Sequence, residues 1–274
     1  MVKKLKVLKT PLFITHYTDL SGLLGLLKTG KFWASNVSFL NDRQELLHGI
    51  SLARRALKSS KFSNTPAKWS QAFEAAAERL EAGEIPDTYA VCFCEQRDML
   101  SLWRGYGGDT QGVSITFRRL QLEELMEPHG AHLFKVIYGN TNGMPKVTSE
   151  LKSYLVVLDA SRRSRPSSDS VAVAYEILCE LIPQFKHFGF RDEREWRFVF
   201  RDELPMDGVE FRQKAGVLVP FIKIGPEAAS MLPISKITVG PGPESMLTAK
   251  SIERFLQIKG LKIAVEQSTV PFRV

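Results

Sequence analysis

Segments whose apolar residues recur at every second position are scattered along this chain among segments with helical spacing, and no regular strand–helix–strand order links them. A doubly wound parallel sheet needs that regular order. Its absence predicts the α+β class, with a split antiparallel or mixed β-sheet core and flanking helices. Residues 11–17 read as a short strand. Thr18 or Asp19 can then cap a helix carrying Leu20, Leu23, Leu24 and Leu27, which stops at Gly30. An extended stretch at 31–36 precedes two helices, one opening at Asn41-Asp42 and running to about Ser59, the other over about 66–82. Strands are expected at 89–94, 112–117, 133–138, 195–200, 217–224, 236–239 and 262–266, and helices at 98–106, 146–160, 170–186 and 245–257.

No internal repeat and no composition shift marks a boundary. A length of 274 residues fits one large domain or two small ones, and we expect a single α+β domain over 1–274 with helical insertions at about 41–85 and 144–187. Three cysteines fit a reducing compartment. Lys9 and Pro11 interrupt any signal-like run after the basic first residues, and no apolar window is long enough to span a bilayer, so the expectation is a cytoplasmic protein with no membrane partner. The net charge of +7 favours anionic partners. Its densest cluster, Arg162, Arg163 and Arg165 within a serine-rich stretch, reads as a solvated linker or as a nucleic-acid patch.

Four motifs carry little chemistry. The glycines from Gly105 to Gly112 follow a helix and open a strand, the reverse of a dinucleotide-binding turn. Cys92 and Cys94 share one strand face but lack the second ligand pair that a zinc site needs. His129 and His132 have no accompanying third ligand pattern. Gly240-Pro-Gly-Pro-Glu-Ser245 reads as a plain strand-to-helix turn, although a helix start there could hold a phosphate.

Three segments carry more. In Thr15-His16-Tyr17-Thr18, a histidine at a strand end can offer a ring nitrogen to a ligand, or be a hydrogen-bonded structural residue. In 93–106, a strand runs into a helix bearing Ser101, Trp103, Arg104 and Tyr106. A hydroxyl, a guanidinium and two aromatic planes suit a planar ligand with an amide or phosphate, while a core-facing Trp103 is the alternative. In 190–200, alternation puts Glu193, Glu195 and Arg197 on one face and Trp196, Phe198 and Phe200 on the other. The aromatic face belongs in the core. The charged face is either an acidic strand mouth with Arg197 as its charge partner or a salt-bridged solvent face.

Together these motifs (His-Tyr-Thr with its leucine-rich helix, Phe-Leu-Asn-Asp, Ser-Leu-Trp-Arg-Gly-Tyr-Gly, Glu-Trp-Arg, Val-Gly-Pro-Gly and the closing Ser268–Arg273) resemble a bacterial family of unknown function. Their order more distantly resembles the ADP-ribosyltransferase superfamily, in which a strand-end His, a Ser and aromatic pair and a late Glu follow in that sequence. The resemblance implies NAD as substrate, no metal, and an acceptor that is protein, nucleic acid or water. It implies that His16 and Tyr17 bind the nucleotide and Ser101 the carboxamide. Trp103 or Tyr106 would stack on nicotinamide, and Arg104 would pair with the pyrophosphate. Arg197 would join the cofactor-binding residues, Glu193 would orient the acceptor, and Glu195 would stabilise the oxocarbenium-like ribose. It also implies a place in phage defence or toxin action. Glu195→Gln is then expected to remove turnover and leave the fold intact. Two rival readings stand beside it: a non-catalytic module for nucleotide or nucleic acid, and a nuclease holding a divalent ion with Asp192, Glu193 and Glu195.

Overall fold

A computed structural model describes residues 10–39, 44–58, 67–84, 86–106, 111–138, 148–149, 153, 170–201, 208–214 and 216–271. In chain order the elements are β1 (Phe13–Asp19), α1 (Leu20–Thr29), β2 (Phe32–Asn36), α2 (Gln44–Leu57), α3 (Ala67–Glu81), β3 (Thr88–Cys94), α4 (Leu100–Tyr106), β4 (Gly112–Arg118), α5 (Arg119–Met126), β5 (His132–Lys135), β6 (Ile137–Tyr138), α6 (Ser170–Leu181), β7 (Phe185–Lys186), β8 (Glu195–Arg201), β9 (Val209–Lys214), β10 (Val217–Ile224), β11 (Ile234–Val239), α7 (Ser245–Ile258) and β12 (Ala264–Gln267). The class is α+β with a mostly antiparallel, mixed sheet. Contacts group the chain into two compact units: 1–33, 92–132 and 224–274 form the first, and 34–91 and 133–223 the second.

In the first unit β1 pairs antiparallel with β4 along its whole length, β4 with β11, and β11 with β12 in parallel. Residues directly opposite in an antiparallel pair share a face. One face therefore carries Ile14, His16, Val113, Ile115, Phe117, Ile237 and Val239, and Phe117 packs with Phe32 and Phe93 at ring distances of 5.3–5.9 Å. The other face carries Thr15, Tyr17, Ser114, Thr116 and Thr238, an unusually polar set for buried positions. It is satisfied in part by hydrogen bonds: the Thr15 and Thr116 hydroxyls lie 3.2 Å apart, and the Ser114 hydroxyl donates to the Arg97 carbonyl. At the end of β1 the Asp19 carboxylate accepts from the Gly22 amide at 2.8 Å, an N-cap worth about 1 kcal/mol. Gly30, at φ 74°, ends α1 in the left-handed conformation.

In the second unit α2, α3 and α6 pack around Ile50, Phe73, Ala76, Ala77, Leu178, Ile182 and Phe185. The small residues of α3 and Gly49 of α2 allow the close approach; a Cβ at Gly49 would stand 2.9 Å from the Ile182 side chain. β2 pairs with β3, β9 with β10, and β8 with β5. The short parallel pair β6 and β7 sets Tyr138 beside Lys186.

Most expected elements are present, with shifts. Leu24 of α1 points outward and Leu26 is buried instead. The strand expected at 133–138 is broken at Val136 into β5 and β6. The helix expected to 186 ends at Leu181, because Pro183 lies in the 3₁₀ turn that follows, and Phe185 and Lys186 become strand. α5 follows β4 without a side-chain cap, and β9 has little apolar alternation, so neither was expected. Most of the segment expected to be helical at 146–160, and the arginine cluster at 162–165, lie outside the described residues.

Candidate active site

The start of β8 is a buried ionic array in the second unit. Residues 188–193 form a 3₁₀ turn whose first amides face His187, where Nδ1 accepts from the Gly189 amide at 3.1 Å. Arg194 follows at φ 46° and ψ 52°, the left-handed region, and among the described residues it is the one non-glycine with positive φ. That conformation costs an L-residue about 1–2 kcal/mol, and such strain gathers at functional segments. It takes Glu193 out of the strand, so the period-two alternation begins at Glu195.

Both acids nonetheless meet at one cation. Lys186 Nζ donates to Glu193 Oε2 at 2.8 Å and to Glu195 Oε2 at 3.0 Å. Arg197 grips Glu195 with a fork, Nε to Oε1 at 2.6 Å and Nη2 to Oε2 at 2.9 Å, and its Nη1 donates to the Pro183 carbonyl. The Glu195 amide donates to the Tyr138 hydroxyl at 2.7 Å, and the Glu195 carbonyl accepts from the Val136 amide. Burial, then the neighbouring charge of Glu195, pushes the Tyr138 phenol far above its ordinary value, so it keeps its proton. Glu195 is 1% exposed, and Arg197 and Lys186 are each 3% exposed. The face opposite Trp196, Phe198 and Phe200 is therefore neither an open mouth nor a solvent face; β8 is buried on both sides at its start. Two acids and two bases balance the charge, which is how such groups tolerate an interior. Glu193 is the more open acid, its side chain 14% exposed. The array can hold a carboxylate in one place with no reorganisation, the property needed to stabilise a developing positive charge.

The remaining expected residues belong to the first unit. His16 Nδ1 lies 2.8 Å from the Cys92 carbonyl. A carbonyl only accepts, so in the neutral ring Nδ1 carries the proton and Nε2 has the acceptor lone pair. Phe32 and Phe93 flank the ring. Tyr17, the next residue of the strand, points to the opposite face. Its ring meets Trp103 edge-on at 4.7 Å, its hydroxyl donates to the Gln96 carbonyl, and burial, then the nearby Cys94, pushes the phenol up. Trp103 Nε1 donates to Asp98 Oδ1 at 2.7 Å, and a Cβ at Gly240 would come within 2.8 Å of its ring. The structure thus brings Tyr17 and Trp103 together, and sets His16 on the other face from both. Trp103 is a core residue, 6% exposed, whereas Ser101 and Arg104 of α4 are exposed. The side chain of Tyr106 and residues 107–110 of the glycine-rich stretch lie outside the described residues.

Sequence reasoning missed Lys186, Tyr138 and Asp98. A lysine directly after apolar Phe185, taken as strand rather than helix end, was the one local signal for the first. Cys92, Cys94 and Cys179 form no disulfide, and His129 and His132 are exposed. Among the described residues no group of three or more histidine, cysteine or carboxylate side chains is placed to hold a metal ion.

Residues 102–198 match the model of a family described as a protein of unknown function, DUF2971. The matched stretch takes in Trp103, Arg104, Tyr106, Lys186, Glu193, Glu195 and Arg197, and leaves His16, Tyr17 and Ser101 outside. No curated protein and no solved structure matches the chain.

Proposed function

We propose that the chain cleaves the nicotinamide–ribose bond of NAD, as an ADP-ribosyltransferase or an NAD glycohydrolase. The observation that carries this reading is the pair of glutamates joined through Lys186, one locked and one partly open. As the bond to C1′ of the ribose breaks, its electron pair leaves with nicotinamide and positive charge develops on the sugar. Glu193, the accessible carboxylate, lies against that charge or takes the proton of the incoming nucleophile. Glu195, already gripped by Arg197, positions Lys186 and through it Glu193. With water as nucleophile the products are ADP-ribose, nicotinamide and a proton; with another acceptor, the ADP-ribosyl group is transferred to it.

Nicotinamide release by the purified protein, with and without cell extract and with and without EDTA, tests this. Release that resists EDTA and disappears in Glu193→Gln supports the reading. Dependence on extract points to transfer, and independence to hydrolysis. No release, together with nucleic-acid cleavage that EDTA abolishes, would favour a metal-dependent nuclease instead, and release unchanged in Glu193→Gln would refute the assignment.

A further inference from the structure

The last described residues of the chain are held in an unusual way. Ser268 Oγ donates to Asp98 Oδ1 at 2.6 Å, and Thr269 donates to Oδ2 through both its amide, at 2.8 Å, and its hydroxyl, at 3.0 Å. The Val270 amide donates to Ser268 Oγ, and the Ser268 amide to the Val239 carbonyl. Val270 packs on the cluster of Tyr17, Cys94, Leu102 and Trp103. Apart from that contact the segment buries little: Thr269 and Pro271 are exposed, and Ser268 and Val270 half-buried. A segment tied to a single carboxylate rather than to a core opens as a unit at modest cost.

Two hydroxyls on the two oxygens of one carboxylate, beside an indole and a phenol ring, is also the arrangement that receives the vicinal diol of a sugar: the carboxylate accepts both hydroxyls and the aromatic rings cover the apolar sugar face. We infer that Asp98, with Trp103 and Tyr17, is a binding site for a ribosyl or related sugar diol, and that 268–271 is a strap whose Ser268 and Thr269 occupy it when closed. Ligand and strap compete for the same carboxylate. The site lies on the face of β1 opposite His16 and does not depend on the glutamate array.

The test uses full-length protein. Ser268→Ala combined with Thr269→Ala removes both strap hydroxyls and leaves Asp98 bonded to Trp103. Cys94, 6% exposed in the cluster on which Val270 packs, reports strap opening through its rate of alkylation by N-ethylmaleimide, read by mass spectrometry, with Cys179 as internal control. Losing two hydrogen bonds to a carboxylate should raise Cys94 labelling about tenfold or more and leave Cys179 unchanged. ADP-ribose, measured by calorimetry, should bind the double variant about tenfold more tightly than the parent, by removal of the competing strap. It should bind poorly once Asp98→Asn is added, and an analogue with both riboses in the 2′-deoxy form should bind poorly throughout. Unchanged Cys94 labelling overturns the strap. Faster labelling with no gain in ADP-ribose affinity, or equal binding of the deoxy analogue, overturns the diol site. Neither readout needs turnover, so failure of NAD cleavage would leave this result standing.

Discussion

Replacing Glu195 by glutamine changes one charge and almost no volume, yet the structure makes it costly. The carboxylate is 1% exposed and accepts both prongs of the Arg197 fork and one donor from Lys186. An amide presents a donor where two cations expect an acceptor. Lys186 keeps Glu193, but the buried guanidinium of Arg197 loses the anion that it grips. Removing one partner of a buried ion pair costs about 3–5 kcal/mol. For a chain of this size each kcal/mol is worth about 2–4 °C, so the melting temperature should fall by about 6–20 °C. Thermal and urea unfolding followed by circular dichroism measure this. The paired change Glu195→Leu with Arg197→Met, which replaces ions by apolar groups, should recover most of the loss. Glu193→Gln, at the more open end of the array, leaves Lys186 bonded to Glu195 and should cost less, about 1–3 kcal/mol. A Glu195→Gln protein within about 1 kcal/mol of the parent would refute the claim that this array is a compensated interior ion cluster. The sequence-based expectation that Glu195→Gln spares the fold therefore gives way, and Glu193→Gln becomes the cleaner test of activity.

Three further outcomes are expected. Arg194→Gly relieves a left-handed residue and should stabilise the protein by about 0.5–1 kcal/mol, seen as a higher urea midpoint; a lower midpoint would mean that the arginine side chain holds the turn. Gly240→Ala should destabilise by about 1–3 kcal/mol, because its Cβ would press on the Trp103 ring at 2.8 Å and on the Gly112 carbonyl at 2.9 Å; an unchanged melting curve would contradict that packing. Burial raises the Asp98 carboxyl, but hydrogen bonds from Ser268, Trp103 and Thr269 outweigh it and hold the group below the usual aspartate range. A depressed folded value stabilises above the unfolded value of about 3.9, and that stabilisation is lost as pH falls through the folded value. The stability gap between the parent and Asp98→Asn should thus hold from about pH 7 to 5 and narrow below about 4, and a gap that widens in acid would reverse the sign of the argument.

Local signals were legible where one residue decides the backbone. Asp19 before a leucine-rich helix, Gly30 after it, and the alternation of Trp196, Phe198 and Phe200 each determine a local conformation. The pairing of Glu195 with Arg197 was legible for the same reason, since two residues apart in a strand share a face. What escaped has two causes. Lys186 is only seven and nine residues from Glu193 and Glu195, but reading 170–186 as one helix hid the strand that sets it there, whereas Asp98 meets Ser268 across 170 residues. Arg194 is a third kind of miss, because nothing in its side chain favours positive φ, and the alternation was carried back through it to Glu193. The grouping of His16 with Tyr17 overlooked the elementary fact that neighbours in a strand face opposite ways.

The parallel pair β11 and β12 also bears on the order in which the first unit assembles. Its registered residues, such as Lys236 and Ala264, are 28 positions apart, whereas Thr15 and Thr116 of the β1–β4 ladder are 101 apart. Closing the longer loop costs about 1 kcal/mol more chain entropy, from the logarithm of that length ratio. The β11–α7–β12 segment can therefore gain its crossover helix and its ladder while the rest of the sheet is still searching, and it then presents β11 as a ready edge against which β4 aligns. In pulse-labelled hydrogen exchange its amides should gain protection ahead of those of β1, and the slow step of refolding should be the long-range registration of β1 rather than the growth of any helix.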